Sequence, residues 1–86
     1  MQSLTMTLFE FKSLDISKQA DALLKRGVYL INRLESGYEV MLYEIEGFYT
    51  EVWINKENHK AERIGSFLGT EPLQPYLKNI DITGLF

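Results

Sequence analysis

Tyr38–Asn55 reads YEVMLYEIEGFYTEVWIN. Its two arms are dense in β-branched and aromatic side chains, which suit a pleated, half-buried surface. Between them Glu46-Gly47 supplies the residue that tolerates positive φ in a tight turn. The stretch therefore predicts a β-hairpin with Ile45 opposite Phe48 and pairing running outward. Alternation along each arm then sorts the side chains onto two faces. Met41, Tyr43, Ile45, Phe48, Thr50, Val52 and Ile54 share one; Tyr38, Val40, Leu42, Glu44, Tyr49, Glu51, Trp53 and Asn55 share the other. The first face is the more apolar and is expected to receive a helix. The second is too apolar to meet only water.

Upstream, Val28 to Leu34 predicts another strand, joined to the hairpin by Glu35-Ser36-Gly37. Downstream, a polar loop from Lys56 to Lys60 precedes a last strand from Ala61 to Leu68. Sequential antiparallel neighbours joined by short turns are the simplest topology for these pieces. Ahead of the strands, Asp15 is placed to cap a helix over Ile16–Arg26, with Ile16, Ala20, Leu23 and Leu24 as its apolar stripe. Lys25 and Arg26 suit its last turn, and Gly27 is expected to close it in the left-handed conformation. Such a helix is too short to be stable alone, so it must rest on the sheet.

Leu4, Met6 and Leu8 alternate with Thr5 and Thr7, predicting a short strand or extended arm toward Phe11, with a helical turn as the alternative. Near the other end, Thr70 and Pro72 suit a helix start, and Leu73, Tyr76, Leu77 and Ile80 follow at helical spacing. Ile82, Leu85 and Phe86 are apolar enough to be expected against something. The expected fold is α+β: a four-stranded antiparallel β-meander with one helix packed on a face and a short C-terminal helical segment. It is a single domain over residues 1–86.

Charge and composition narrow the function. The formal net charge is −3, and the hairpin carries Glu39, Glu44, Glu46 and Glu51 without a Lys or Arg. That opposes a phosphate grip, which needs clustered cations; nucleic-acid binding would require Lys12, Lys18, Lys25, Arg26 and Arg33 to gather on one surface. The carboxylates are read as edge protection, with Arg33 or Arg63 as a cross-strand partner. Cysteine is absent, which excludes a thiolate metal site and a Cys nucleophile and fits a reducing cytoplasm. The longest apolar runs, such as Val28–Ile31 and Val40–Tyr43, fall far short of a membrane span, and no secretory leader pattern is visible.

The residues show no catalytic constellation. His59, the single histidine, sits in the polar loop between Asn58 and Lys60 without an orienting partner. The serines lie in no nucleophile-elbow context, and nucleotide-loop and EF-hand patterns are absent. No catalytic, cofactor-binding or metal-binding residue is assigned. What demands an explanation is the second hairpin face. The C-terminal segment or the N-terminal arm covers it, or a second copy meets it, or it receives a peptide, sugar or other partner. The expectation taken forward is a non-enzymatic domain acting through protein–protein contact, homodimerising through this face, with Tyr38, Leu42, Tyr49 and Trp53 as the contact surface. The competing expectation is a small-ligand-binding or enzymatic domain with a pocket between helix and sheet.

The run GVYL from Gly27, VMLYEIEGFYTEVW from Val40, IGSF from Ile64 and PLQPYL from Pro72 resembles a group of small bacterial proteins of unknown function. These are of about this length, with a helix followed by an antiparallel meander. The resemblance covers nearly all of the chain after Phe11. It implies the fold and a bacterial origin, and it carries no activity, cofactor or site residue.

Overall fold

Two tight turns set the sheet. Ser36-Gly37 and Glu46-Gly47 each hold both residues at positive φ, 38° and 88° in the first and 50° and 88° in the second. This is the turn geometry whose twist matches that of paired strands. The computed structural model, which describes residues 6–77, places β1 (Val28–Glu35), β2 (Tyr38–Ile45), β3 (Phe48–Asn55) and β4 (Ala61–Phe67) in one four-stranded antiparallel sheet in chain order. Ile45 lies opposite Phe48 and Tyr38 opposite Asn55, so both faces of the central hairpin are composed as expected. Each outer strand carries one irregularity. Register shifts between Tyr29 and Ile31 make Leu30 the extra residue of β1. A shift at Trp53/Ile54 makes Glu62 the extra residue of β4, with Arg63 opposite Trp53.

The helix layer differs from expectation at its start. Residues 8–12 are not a strand but a helix, α1 (Leu8–Lys12), closed by a reciprocal capping box in which Thr7 and Glu10 each satisfy the other's backbone N–H. Two satisfied donors outweigh a three-residue alternation. Leu4 and Thr5, the rest of that expected arm, lie outside the described residues. α2 runs over Ile16–Arg26 with Asp15 as its cap, its carboxylate accepting from the Lys18 N–H at 2.9 Å. Its stripe is rotated from the expected one. Leu23 and Gln19 are buried, whereas Ile16 is exposed and Leu24 stands 82% exposed. The buried Gln19 side chain donates to the Phe11 carbonyl at 2.9 Å, tying α2 to α1 and satisfying a polar group inside.

Gly27 is also needed for a different reason. Its φ is −79°, extended rather than left-handed. A Cβ there would lie 2.7 Å from the Leu23 carbonyl oxygen, so glycine permits a close approach and not an unusual φ.

The core fills the space between these helices and the sheet: Phe11, Leu23, Ile45, Phe48 and Val52, flanked by Met6, Leu14, Met41, Tyr43 and Ile64. This is the hairpin face expected to receive a helix. On the other side a 3-10 turn (Glu71–Leu73) leads into α3 (Gln74–Leu77), the expected short C-terminal helical segment. Ile80, Ile82, Leu85 and Phe86 lie outside the described residues. Among the described residues no helix is long and apolar enough to cross a membrane.

Candidate contact surface

The second sheet face is built by alternation. The pairing brings Arg33 beside Val40, Val40 beside Trp53, and Leu42 beside Glu51. α3 lays Tyr76 over the centre of this group. The Tyr76 hydroxyl donates to Glu51 Oε2 at 2.7 Å, the length of a charge-assisted bond. Arg33 Nη2 reaches the same oxygen at 3.3 Å while its Nη1 bonds Glu35 at 2.9 Å. The guanidinium sits 5.2 Å from the Tyr76 ring and 5.3 Å from the Trp53 ring, within cation–π range of both. Its Nε is buried with no acceptor among the described residues.

Burial works against the Arg33 charge, but Glu35, the Tyr76 hydroxyl and the Glu51 carboxylate outweigh it and raise its pKa. Burial, followed by the Glu51 contact, pushes the Tyr76 phenol well above the usual tyrosine range. In the unfolded chain Tyr76 titrates near pH ~10. Its folded value is raised, so its contribution to stability is whole below about pH 10 and is lost as pH rises from there through the folded value. Urea unfolding followed across the alkaline range is expected to show stability falling with pH, and falling less steeply in Tyr76→Phe. Equal slopes would mean Tyr76 ionises in the folded state as freely as in the unfolded one.

Tyr76 leaves open the ends of the face. At one end the Tyr38 and Trp53 rings meet edge to face, 5.7 Å between centroids, and the Arg63 guanidinium lies 4.8 Å over the indole. Glu62, pushed out by the β4 irregularity, accepts from the Tyr38 hydroxyl at 2.9 Å and from Asn55 Nδ2 at 3.2 Å. The Tyr38 bond raises the phenol pKa and lowers that of the Glu62 carboxyl. Tyr38, Trp53, Glu62 and Arg63 line an open notch of about 300 Å³. At the other end Tyr49 stacks on Phe67 with centroids 5.8 Å apart.

Of the residues singled out in the sequence, Tyr38 and Trp53 are brought together and Tyr49 sits apart with Phe67, all three half-buried. Leu42 is 3% exposed and lies beneath the surface. The sequence reading named Arg33 as a partner for the hairpin carboxylates, and it meets Glu51; it missed Tyr76 and Glu62. Ser36-Gly37 is itself a two-residue turn signal that fixes Arg33 opposite Val40; the irregularity at Glu62 leaves no such signal for β4.

Several of the cations that a nucleic-acid surface would need are held by carboxylates: Lys25 by Asp21 at 3.0 Å, Arg26 by Glu46 at 3.2 Å, and Arg33 as above. Among the described residues no group of three His, Asp or Glu side chains is placed to hold a metal ion. Large apolar side chains stand open elsewhere. Phe9 and Leu24 are exposed on the helices, and four residues of β1 are exposed: Val28 at 56%, Tyr29 at 48%, Leu30 at 46% and Leu34 at 67%. Comparison with protein-family models, with curated proteins and with solved structures finds no match for this chain.

Proposed function

We propose that this chain is a small non-enzymatic domain that acts through protein–protein contact, with a second copy of itself as first partner. The observation that supports this is the open apolar surface of β1, next to a β2 whose Val40, Leu42 and Ile45 are fully buried. These side chains fall on both faces of β1, Val28 on one and Tyr29 and Leu34 on the other, so what they mark is the strand's edge as a place where another surface belongs. The aromatic face supports the same reading at its ends only. Tyr38, Trp53 and Tyr49 remain reachable, whereas a contact made across Leu42 would first have to displace Tyr76. Aromatic and arginine side chains at such a rim suit recognition of another protein. The cysteine-free sequence fits a reducing compartment, and the reading places the domain in the cytoplasm.

A second reading is favoured by the notch between Tyr38 and Arg63, which brings polar and aromatic groups together as small-ligand sites do. Its 300 Å³ lies at the lower end of their range. It would make the domain a monomer whose Trp53 emission responds to a ligand.

Light scattering over a dilution series separates the two. A dimer that dissociates on dilution is expected. A monomeric mass at every concentration would remove the self-association reading.

A further inference from the structure

We infer that two copies meet along the free edge of β1, joining their sheets into one continuous antiparallel sheet. This rests on the self-association reading above and names its surface. Among the described residues the strand order leaves β1 and β4 as the two edges, and each presents backbone N–H and C=O groups that only another strand can pair in register.

The edges are not equivalent. Both edges carry one register break and a helix contact, α3 on β1 and α1 with α2 on β4; what sets β4 apart is the charged pair Glu62 and Arg63, both exposed and adjacent in sequence. β1 carries Val28, Tyr29, Leu30 and Leu34 in the open, with no Lys or Pro. α1 and α2 lie mainly over β2 and β4, and α3 meets β1 from the opposite face, so Tyr29 and Leu34, on the α1–α2 side of the sheet, overhang that layer.

Charge favours a second copy as the occupant. The chain carries a net −3, so most surfaces of two copies repel. β1 contains one cation and one anion, Arg33 and Glu35, and they are paired with each other at 2.9 Å. Two copies meeting there bring no unbalanced charge. An antiparallel strand pair with a two-fold axis normal to the sheet is self-complementary, the commonest closed arrangement for a homo-oligomer. The extra residue at Leu30 interrupts the ladder, leaving Ile31–Glu35 as its unbroken part, roughly 17 Å of edge. One strand-to-strand seam of that length buries less than the ~800 Å² per partner of a standard interface. The dimer is therefore concentration-dependent, and the Leu34 and Tyr29 side chains carry much of its affinity. The same axis places both Trp53 rims on one side of the joined sheet.

Leu34→Lys tests this without threatening the fold, because Leu34 is exposed and its neighbour on β2 is Glu39, a ready partner for a lysine. Light scattering of Leu34→Lys is expected to show the half-dissociation concentration raised at least tenfold, with unchanged circular dichroism. Leu30→Lys is expected to do the same. Tyr49→Gln, on the aromatic face, is expected to leave the dimer intact. Amide exchange over Ile31–Glu35 should slow as protein concentration rises. A wild-type dissociation curve in both lysine variants overturns the inference. If Tyr49→Gln alone dissociates the dimer, self-association stands and the β1 edge falls. If the wild-type chain is monomeric throughout, both fall together.

Discussion

Phe11→Ala is expected to lower the unfolding free energy by about 3–5 kcal/mol, whereas Phe9→Ala is expected to change it by less than about 0.5 kcal/mol. Phe11 is fully buried against Phe48, ring centroids 5.5 Å apart, within the cluster that includes Leu23, Ile45 and Val52. It is also the one buried residue of α1, so its ring is what docks that short helix. Phe9 is 83% exposed. For a domain of this length the Phe11 loss corresponds to roughly 12–40 °C in Tm. The comparison also tests the local structure. Two residues apart in a strand share a face, and two apart in a helix lie on nearly opposite sides. Comparable costs for the two substitutions, by thermal melting followed through Trp53 fluorescence, would mean that residues 8–12 are not helical in solution.

That pair shows where sequence reading failed and why. The alternation of Leu4, Met6 and Leu8 with threonines imitates a strand, but Thr7 and Glu10 make a capping box that a hydrophobic pattern does not register. In α2 the ends were legible, because Asp15 and the Lys25-Arg26-Gly27 run are local signals. The buried side was not: it turns on Gln19, whose burial depends on the Phe11 carbonyl of another helix. The strand order was legible from short connections, and the β2–β3 register from Glu46-Gly47; the β1–β2 register was not, although the Ser36-Gly37 turn sets it as far as Ile31, before the break at Leu30. At β4 a longer loop and the displaced Glu62 removed that constraint. The surplus of aromatics on the second face left open whether a terminal segment, a second copy or another partner supplies cover. That Tyr76 supplies it at the centre depends on a tertiary contact with Glu51 that no local pattern encodes.

Arg33→Ala is expected to cost about 3–5 kcal/mol, yet replacing the whole polar group that it belongs to should cost little. Its side chain is 8% exposed and that of Glu51 13%. Removing the cation leaves the Glu51 carboxylate buried with the Tyr76 hydroxyl alone, and strips packing from Trp53 and Tyr76. The loss would measure a stranded charge more than the worth of the pair, because both ions had already lost most of their hydration on folding. The triple variant Arg33→Met, Glu51→Leu, Tyr76→Phe removes both buried charges and leaves only the Glu35 carboxylate, which is half exposed and open to water. Urea unfolding followed by Trp53 emission is expected to place it within about 1 kcal/mol of the wild type, or above it. The polar group then acts as a locator: its bonds hold α3 against β1, with Tyr76 on Arg33 and Glu51, and keep Trp53 at the rim, between Arg33 and Arg63. A triple variant as unstable as Arg33→Ala would show instead that the buried ion pair is itself a principal source of stability on that face.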